Sequence, residues 1–362
     1  MSDTATIPPP GARRVLRFIL RMLLALALLL FTAWGMLALW FQLPHPLAHV
    51  VGGAWGLLGL AGAVALARGP GRRPGMRVVA AAAAAAGAIL LLAWWLSLAP
   101  SHERAWADDV ARMLASQVDG DRLVLKNVRA FEWRTETDYD ARWDTREYDL
   151  ARLESADLVL SYWMGPDIAH TLVSFGFSDG QRLVFSLEIR KERHESFSAI
   201  GGFFREFEQV IVASDERDLI RTRSNVRGEQ VYLYRLRAKP EQLRSVLVAY
   251  LARAEALRRQ PEFYNTLTSN CTTILFELAR TIAPDLPLDW RLLASGHFAE
   301  YAYDHDALAP GVPYAVLQRR GHINARALAA DAAPDSDFSR AIRTDTPGVP
   351  GMEGALSFST AP

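Results

Sequence analysis

The chain has a single cysteine and no net charge, and each of these absences excludes a class of protein. Its 362 residues include 40 Lys and Arg balanced by 40 Asp and Glu, so that the formal net charge is +0. A nucleic-acid-binding protein is not expected, because such proteins carry a basic patch or stripe. One cysteine cannot form an intramolecular disulfide or a cysteine-based zinc site. The histidines lack the paired spacing of metal ligands, so we predict no metal site and no cofactor.

Hydrophobic sequence is abundant near the N-terminus. Three apolar runs, Met22–Phe41, Leu47–Ala67 and Val78–Ala99, each have about the 20 residues that are needed to cross a bilayer core. Arginines precede the first run and fill the loop between the second and third, but the loop between the first and second has none. Positive charge stays on the cytoplasmic side. We therefore predict a cytoplasmic segment, 1–21, a three-span anchor in the bacterial inner membrane, 22–99, and a periplasmic location for the rest.

Residues 101–330 are predicted to form one periplasmic domain. An amphipathic helix should open it, because apolar residues recur on one face between Trp106 and Val118. Helices are also expected at about Pro240–Arg259 and after Cys271. Alternating apolar residues predict six strands before these two helices, at Arg122–Trp133, Asp157–Trp163, His170–Phe177, Arg182–Arg190, Gln209–Ser214 and Val231–Arg237.

This order of strands followed by helices favours an α+β fold with an antiparallel sheet. The tail, residues 331–362, is rich in Pro, Gly, Ser and Asp, a composition that is typical of disordered chain. We therefore predict that the tail is disordered.

The strands within 170–190 are predicted to form a hairpin. Apolar residues face apolar residues only if the connecting loop has three residues and ends at Gly180 in the left-handed conformation. That register places Phe175 opposite Leu183. It also places a histidine, His170, opposite Glu188 on the more polar face.

Cys271 is predicted to lie on the first turn of a helix. Ser269 and Asn270, which precede it, are favoured N-cap residues, and apolar residues recur at helical spacing after it. Unpaired backbone N–H groups and the helix dipole stabilise a thiolate at this position, and the thiolate is the nucleophilic form of cysteine. The alternative is a small core side chain, since free cysteine is among the most buried residue types.

His170 and Glu188 could complete a catalytic set with Cys271. A carboxylate next to an imidazole holds it in one tautomer and raises its basicity. A nucleophile, a base and an orienting group form the generalised catalytic triad. The alternatives are a strand-end histidine that is hydrogen-bonded to a neighbour and a solvated carboxylate.

Short motifs along residues 120–330 resemble the periplasmic domain of the Lnb family, bacterial lipoprotein N-acyltransferases and their relatives. The motifs, in chain order, are Ser-Tyr-Trp at 161–163, Ala-His-Thr at 169–171, Ser-Phe-Gly-Phe at 174–177, Ser-Leu-Glu-Ile-Arg-Lys-Glu at 186–192, Gly-Gly-Phe-Phe-Arg-Glu-Phe-Glu at 201–208, Asp-Glu-Arg-Asp at 215–218, Tyr-Asn at 264–265, Asn-Cys-Thr-Thr at 270–273 and Asp-Trp-Arg at 289–291. The resemblance implies a permuted papain-like, NlpC-like fold in which the histidine strand precedes the cysteine helix.

The resemblance also implies roles for individual residues. Cys271 would be the acyl-accepting nucleophile, His170 its general base and Glu188 the group that orients the imidazole. Tyr264 and Asn270 would support the site or help to stabilise an oxyanion. Family members carry membrane spans after the domain, whereas here three spans precede it. The resemblance therefore indicates the catalytic chemistry more directly than it indicates the acceptor of the acyl chain.

These observations lead to the hypothesis of a membrane-tethered periplasmic thiol acyltransferase. Cys271 would take an acyl chain from a phospholipid and pass it to an amine, the N-terminus of a diacylglyceryl lipoprotein. A thioester favours an amine over water only where water is excluded, so we expect an apolar pocket. Candidate lining residues, with a core role as the alternative, are Leu292, Leu293, Phe298, Tyr301 and Tyr303.

Two other classes of function remain open. A cysteine peptidase or amidase, or a lipid hydrolase, would use the same three residues, and a peptidase would have a polar, open groove. A non-catalytic envelope scaffold would tolerate replacement of Cys271 with no effect beyond packing.

Overall fold

A computed structural model describes residues 10–68, 74–333 and 337–351. The chain divides into two compact units. One, which we call the helical unit, comprises residues 1–100 together with the segment 200–206. The other, the α/β unit, comprises residues 101–199 and 207–362.

The helical unit contains three helices that are each long and apolar enough to cross a membrane. They are α1 (Pro10–Gln42), α2 (His45–Arg68) and α3 (Pro74–Ser97). The three apolar runs of the sequence correspond to these helices, which confirms the prediction of three candidate spans. Helix α1 begins at Pro10, so the described part of the predicted cytoplasmic segment continues the first span as helix.

Helices α1 and α2 pack closely because small residues lie between them. A Cβ atom added to Gly59 would lie only 2.1 Å from Thr32 Oγ1. The indole nitrogen of Trp55 donates a hydrogen bond of 3.0 Å to the Thr32 carbonyl, which satisfies a polar group within the helix pair. Close approach over small residues and such interhelical bonds are the usual basis of helix association in lipid.

The segment 200–206 packs against the C-terminal end of α1. It contains a short 3-10 turn, Gly201–Phe204. The ring of Phe204 stacks on that of Phe41, with centroids 5.5 Å apart. Gln42 Nε2 donates hydrogen bonds of 2.8 Å to the carbonyls of Phe204 and of the following residue.

The same segment also contacts the C-terminal end of α3. Arg205 Nη1 donates a 2.8 Å hydrogen bond to the Trp95 carbonyl, and the guanidinium lies over the Trp95 ring. The sequence prediction placed the whole of 101–330 in one domain. The segment 200–206 is an exception, because its contacts are with the ends of the helices.

The α/β unit contains a mostly antiparallel sheet flanked by helices, which confirms the predicted fold class. Its strands are β1 (Ala115–Asp119), β2 (Arg122–Arg129), β3 (Glu132–Trp133), β4 (Tyr139–Asp140), β5 (Trp143–Asp149), β6 (Leu153–Tyr162), β7 (Ala169–Phe177), β8 (Arg182–Arg190), β9 (Glu208–Ser214) and β10 (Gln230–Arg235). Its helices are α4 (Glu216–Arg221), α5 (Pro240–Arg259), α6 (Cys271–Ala279), α7 (Phe298–Asp304), α8 (Tyr314–Gly321), α9 (Asn324–Asp331) and α10 (Phe338–Ala341).

The main sheet has eight strands in the order β1-β2-β9-β8-β7-β6-β10, with β5 also paired to β2. Its pairs are antiparallel except for the single contact between β2 and β9. Neighbouring residues of a strand point to opposite faces of the sheet. Both faces carry buried apolar side chains. Phe175 and Phe185 pack with α5 and α6 on one face, whereas Leu172 and Val184 pack with α4, α9 and α10 on the other.

The predicted opening helix of this unit is wrong. Trp106 forms an isolated β-bridge with Glu192, and Asp108–Val110 is a single 3-10 turn. Residues 115–119 form strand β1, on which Val118 is exposed. The apolar spacing resembled that of a helix, but pairing with β2 and packing against distant residues decide the local structure here.

The prediction of a disordered tail is wrong for residues 337–351. This stretch contains α10, and Arg343 within it is 1% exposed. Arg343 Nε donates a 2.9 Å hydrogen bond to Asp157 Oδ2, and Arg343 Nη1 donates one of 2.9 Å to Glu216 Oε2. The composition of the tail did not show that it holds a counter-charge for two buried carboxylates. Residues 334–336 and 352–362 lie outside the described residues.

Candidate active site

The β7–β8 hairpin has the predicted register. Phe175 pairs with Leu183, and Gly180 adopts φ 89° in the three-residue loop. The pairing of β7 with β8 ends at Leu172 and Ser186. Beyond that pair the two strands separate, and the residues that follow can bind other groups.

His170 and Glu188 lie in contact at this end of the hairpin, as the register predicted. His170 Nε2 lies 3.2 Å from Glu188 Oε1. Ser186 bridges the pair, because its hydroxyl lies 2.6 Å from the same imidazole nitrogen and donates a 2.7 Å hydrogen bond to Glu188. The side chains of His170 and Glu188 are 14% and 18% exposed, so water screens their interaction weakly. Since Nε2 is occupied, Nδ1 is the ring nitrogen that remains for a nucleophile.

Sequence reasoning missed Arg223, which also binds Glu188. Arg223 Nη2 donates a 2.8 Å hydrogen bond to Glu188 Oε1, and the arginine side chain is 6% exposed. It projects from a π-helical turn, Thr222–Val226, that follows α4. Such turns are rare and occur often at functional sites. Arg223 lies among other charged residues with no periodic pattern, so no signal in the sequence singled it out.

Cys271 is the first residue of α6, as predicted, and its side chain is partly exposed. The N-cap is Asn270, whose side-chain oxygen accepts hydrogen bonds of 2.9 Å from the backbone N–H groups of Thr272 and Thr273. At the N1 position of a helix the backbone N–H has no partner within the helix. Cys271 therefore combines a thiol with an N–H donor at the positive end of the helix dipole.

Further hydrogen bonds of Asn270 support the turn before the cysteine helix. Its Nδ2 donates a 2.8 Å hydrogen bond to the Thr266 carbonyl, and its backbone N–H donates to Thr273 Oγ1 at 2.8 Å. These two bonds hold the loop and the helix end. Asn270 thus shapes the turn that presents Cys271, and a part for it in stabilising an oxyanion stays a prediction.

A buried pair of threonines joins the histidine strand to the cysteine helix. The hydroxyls of Thr171 and Thr272 lie 3.1 Å apart, and both residues are at most 2% exposed. A hydrogen bond from the Thr171 backbone reaches the thiol of Cys271 and lowers its pKa. That N–H lies just beyond the last β7–β8 pair, where the strands have separated. The neighbours of His170 and Cys271 therefore bring the two side chains together.

The electrostatics of the site favour an ion pair between Cys271 and His170. Burial acts to raise the pKa of the Cys271 thiol, but the charge of His170 and a hydrogen bond with it lower that pKa below its usual 9.0. Burial likewise acts to lower the pKa of His170, but the charge of Glu188 outweighs it and raises the pKa to about 9. Both shifts favour a thiolate next to an imidazolium.

Glu188 remains ionised in this environment. Burial acts to raise its pKa, but the charges of His170 and Arg223 hold the pKa well below its usual range. When Cys271 is a thiolate and His170 an imidazolium, these two residues together with Glu188 and Arg223 carry two negative and two positive charges. An alternating set of this kind compensates the cost of removing each charge from water.

Tyr264 lies close enough to the site to be affected by its charges. Burial, followed by the negative charges of Cys271 and Glu188, raises the pKa of the Tyr264 phenol. The phenol therefore stays protonated and can donate a hydrogen bond. The predicted role of Tyr264 as an oxyanion donor stays a prediction.

Most of the predicted apolar lining is core. Leu292, Phe298 and Tyr301 are at most 5% exposed within the main apolar cluster, and Tyr303 packs against it. Leu293 is 54% exposed. Helices that follow α6 bury these side chains, which sequence spacing alone could not show.

A cavity of about 690 Å³ lies at the β6–β10 edge of the sheet. Aromatic residues, Tyr162 and Tyr232 among them, line it together with Arg227, Glu229 and Glu300. The Glu229 carboxylate accepts a hydrogen bond from Ser161, and Ser161 is the β6 partner of His170. This cavity is open, and its lining mixes aromatic and charged side chains, so it is not a closed apolar pocket of the kind that we expected.

Comparison with known families identifies the region that holds these residues. The family model described as the Lnb N-terminal periplasmic domain matches residues 139–296. The chain carries an Lnb-type domain. This confirms the resemblance that the short motifs indicated, over a stretch that is less than half of the chain. Cys271, His170 and Glu188 all lie within the matched residues of the Lnb-type domain.

No curated protein and no solved structure matches the chain. The Lnb family match and the three candidate spans together describe a membrane-anchored protein with a periplasmic domain. The roles of the individual site residues of the Lnb-type domain rest on the geometry described above.

Proposed function

We propose that the Lnb-type domain of this chain is a thiol acyltransferase that acts on lipid esters at the periplasmic face of the bacterial inner membrane. The observation that carries the proposal is the set formed by Cys271, His170 and Glu188. The thiol lies at a helix N-terminus, the imidazole is held by Ser186 and Glu188 through Nε2, and the charges favour a thiolate. These are the requirements for covalent catalysis by cysteine.

The first half-reaction forms a thioester. The Cys271 thiolate attacks the ester carbonyl of a phospholipid, and the Cys271 N–H and the Tyr264 hydroxyl donate to the oxyanion that develops. The C–O bond then breaks, and the His170 imidazolium gives its proton to the departing oxygen of the lysolipid. Glu188 stabilises the imidazolium until that transfer.

The second half-reaction transfers the acyl chain to an amine. Neutral His170 takes a proton as the amine attacks the thioester, a C–N bond forms and the Cys271 thiolate leaves. The acceptor that we propose is the N-terminal amine of a diacylglyceryl lipoprotein. Three candidate spans support a lipid donor and acceptor, because all of the reactants are then confined to one membrane. The arginine distribution supports a cytoplasmic N-terminus.

The cavity at the β6–β10 edge favours a second candidate function. Its charged lining, with Arg227, Glu229 and Glu300, suits a peptide better than a fatty chain. A cysteine peptidase or amidase with the same catalytic set would use an open groove that offers charged groups to a peptide. This alternative requires no thioester of a fatty acid.

The proposal is tested by intact-protein mass spectrometry of the full chain in detergent, incubated with phospholipid and no acceptor. The expected result is a hydroxylamine-labile mass increase of one fatty acyl chain on the wild type. Cys271→Ser keeps the size and polarity of the side chain and should remain unmodified or carry only a hydroxylamine-resistant ester. Addition of a diacylglyceryl lipopeptide should then discharge the thioester and acylate the peptide amine.

The other outcomes separate the rivals. Free fatty acid without an adduct, released only by the wild type, would identify a lipid hydrolase. Cleavage of a cell-wall peptide without any reaction on lipid would identify a peptidase or amidase. If neither substrate is turned over and Cys271→Ser is as stable as the wild type, the result would support the non-catalytic scaffold.

A further inference from the structure

Five exposed apolar side chains lie on three loops that lead to the candidate catalytic residues. They form what we call the apolar rim: Trp163, Met164, Ile168, Phe197 and Leu267, with exposed fractions of 39%, 58%, 37%, 48% and 47%. Large apolar side chains are individually common on protein surfaces, but a contiguous group marks a site of interaction.

Each loop of the apolar rim is close in the chain to one catalytic residue. Trp163, Met164 and Ile168 lie between β6 and β7, and Ile168 precedes His170 by two residues. Phe197 lies after β8, the strand that carries Glu188. Leu267 lies four residues before Cys271.

Contacts between the loops show that the rim is one surface. The rings of Trp163 and Phe197 meet edge to face, with centroids 5.7 Å apart. Thr266 Oγ1 donates a 2.8 Å hydrogen bond to the Ala199 carbonyl, which ties the loop of Leu267 to that of Phe197. The three loops are therefore joined to one another, and each leads in the chain to a candidate catalytic residue.

The chain itself indicates what lies against this patch. The loop that carries Phe197 continues directly into the segment 200–206, which is bound to the ends of α1 and α3 through Gln42 and Trp95. Phe197 precedes Ile200 by three residues, which corresponds to about 10 Å of extended chain. Trp and Phe are favoured at the boundary between lipid and water. Trp95 lies near the C-terminal end of α3, a candidate span.

We propose that the apolar rim inserts into the periplasmic leaflet of the inner membrane and admits a lipid acyl chain to Cys271. The occupant is the lipid of the bilayer that the chain spans. The assignment of the acyl chain as the substrate rests on the proposed function. The insertion itself does not.

The single native cysteine allows insertion to be measured without any catalysis. In the full chain with Cys271→Ala, the substitutions Phe197→Cys and Leu267→Cys each provide one site for a nitroxide label. The labelled protein is reconstituted in nanodiscs of phosphatidylethanolamine and phosphatidylglycerol, and relaxation by oxygen is compared with relaxation by a water-soluble nickel chelate. Matched controls are Val118→Cys on β1 and Leu328→Cys on α9, which replace apolar residues that are 45% and 54% exposed.

The expected result is that both rim labels are relaxed mainly by oxygen and both control labels mainly by nickel. Rim labels with the same ratio of oxygen to nickel accessibility as the controls would overturn the proposal. Trp163→Cys provides a third rim site if one of the other two variants does not fold. This outcome does not depend on whether Cys271 forms a thioester.

The substrate assignment is tested by a kinetic comparison. Phe197→Ser should lower kcat/KM for phospholipid in vesicles about tenfold through a higher KM, because a large apolar contact is lost. Turnover of a water-soluble dibutyryl phospholipid should be unchanged, as it should also be for the control Leu328→Ser. An equal loss on both substrates would show a structural effect and contradict the assignment. Inserted labels with no lipid turnover by the wild type would overturn the proposed function and leave insertion standing.

Discussion

Thr171 and Thr272 face each other across the boundary between the histidine strand and the cysteine helix, with their hydroxyl oxygens 3.1 Å apart. Each is the residue that follows a member of the candidate catalytic pair, His170 or Cys271. The two threonines are 101 residues apart in the chain and almost fully buried. Their hydrogen bond fixes the separation of two backbones, and through them the approach of thiol to imidazole.

Thr272→Val should lower both the stability of the domain and the reactivity of the thiol. Valine has nearly the shape of threonine, so the main change is a buried Thr171 hydroxyl without a partner, at a cost of about 1–3 kcal/mol. The Thr272 hydroxyl also helps to lower the pKa of Cys271, so its loss should slow alkylation by iodoacetamide at neutral pH. Thermal unfolding in detergent and the alkylation rate measure the two effects.

The double variant Thr171→Val/Thr272→Val is the control for this prediction. Replacement of both partners by apolar groups leaves no unsatisfied hydroxyl and should recover most of the stability. A single variant that is as stable as the wild type would show that the hydrogen bond does not hold the two elements together.

Glu188→Gln should change the pH dependence of Cys271 alkylation. Burial acts to lower the pKa of His170, and the charge of Glu188 is what raises that pKa to about 9. Without the charge the imidazole becomes neutral at lower pH and no longer stabilises the thiolate. Alkylation should therefore be slower than in the wild type at neutral pH and should approach the wild-type rate near pH 10, where any thiol is ionised.

The same variant should alter the pH dependence of stability. A group with a raised pKa in the folded state stabilises the fold fully below its unfolded pKa, which is 6.5 for His170, and this contribution is lost as the pH rises through about 9. The wild type should lose stability over this window, and Glu188→Gln should lose less. Identical alkylation profiles for the two proteins would contradict the role of Glu188.

Tyr264→Phe should separate oxyanion stabilisation from thiol activation. Loss of one oxyanion donor lowers turnover by about 100-fold or more. Alkylation of Cys271 by iodoacetamide develops no oxyanion, so its rate should stay close to that of the wild type. Tyr303→Phe, a half-buried tyrosine of the core, is the matched control and should leave turnover unchanged. Equal turnover by Tyr264→Phe and the wild type would assign Tyr264 to packing.

Arg343→Met should destabilise the α/β unit strongly. Burial acts to raise the pKa of Glu216, but the charge of Arg343 holds that pKa at about 2. The ion pair therefore stabilises the fold fully above the usual pKa of 4.5, and this contribution is lost as the pH falls through about 2. Breaking a buried ion pair by removal of one partner costs about 3–5 kcal/mol. The exposed neighbour Arg340 provides the control: Arg340→Met should change the melting temperature little, and similar losses for both variants would show that the buried charges are not the cause.

Local patterns in the sequence were sufficient for the parts of this protein that short-range physics decides. The three candidate spans follow from the length of the apolar runs, and the predicted α+β class follows from the order of strands and helices. The hairpin register, with Phe175 opposite Leu183, follows from alternation and from the left-handed turn at Gly180. The cap at Asn270 follows from the hydrogen-bonding ability of its side chain. The contact between His170 and Glu188 was predictable from the same hairpin register.

The tertiary structure alone decided what depends on residues that are far apart in the chain. Arg223 reaches Glu188 from a different element, and Thr171 meets Thr272 across 101 residues. The segment 200–206 belongs with the helical unit, and Arg343 orders part of a tail with a composition typical of disorder. Each of these features comes from pairing or burial between distant groups, and the energy of such contacts leaves no periodic trace in the sequence.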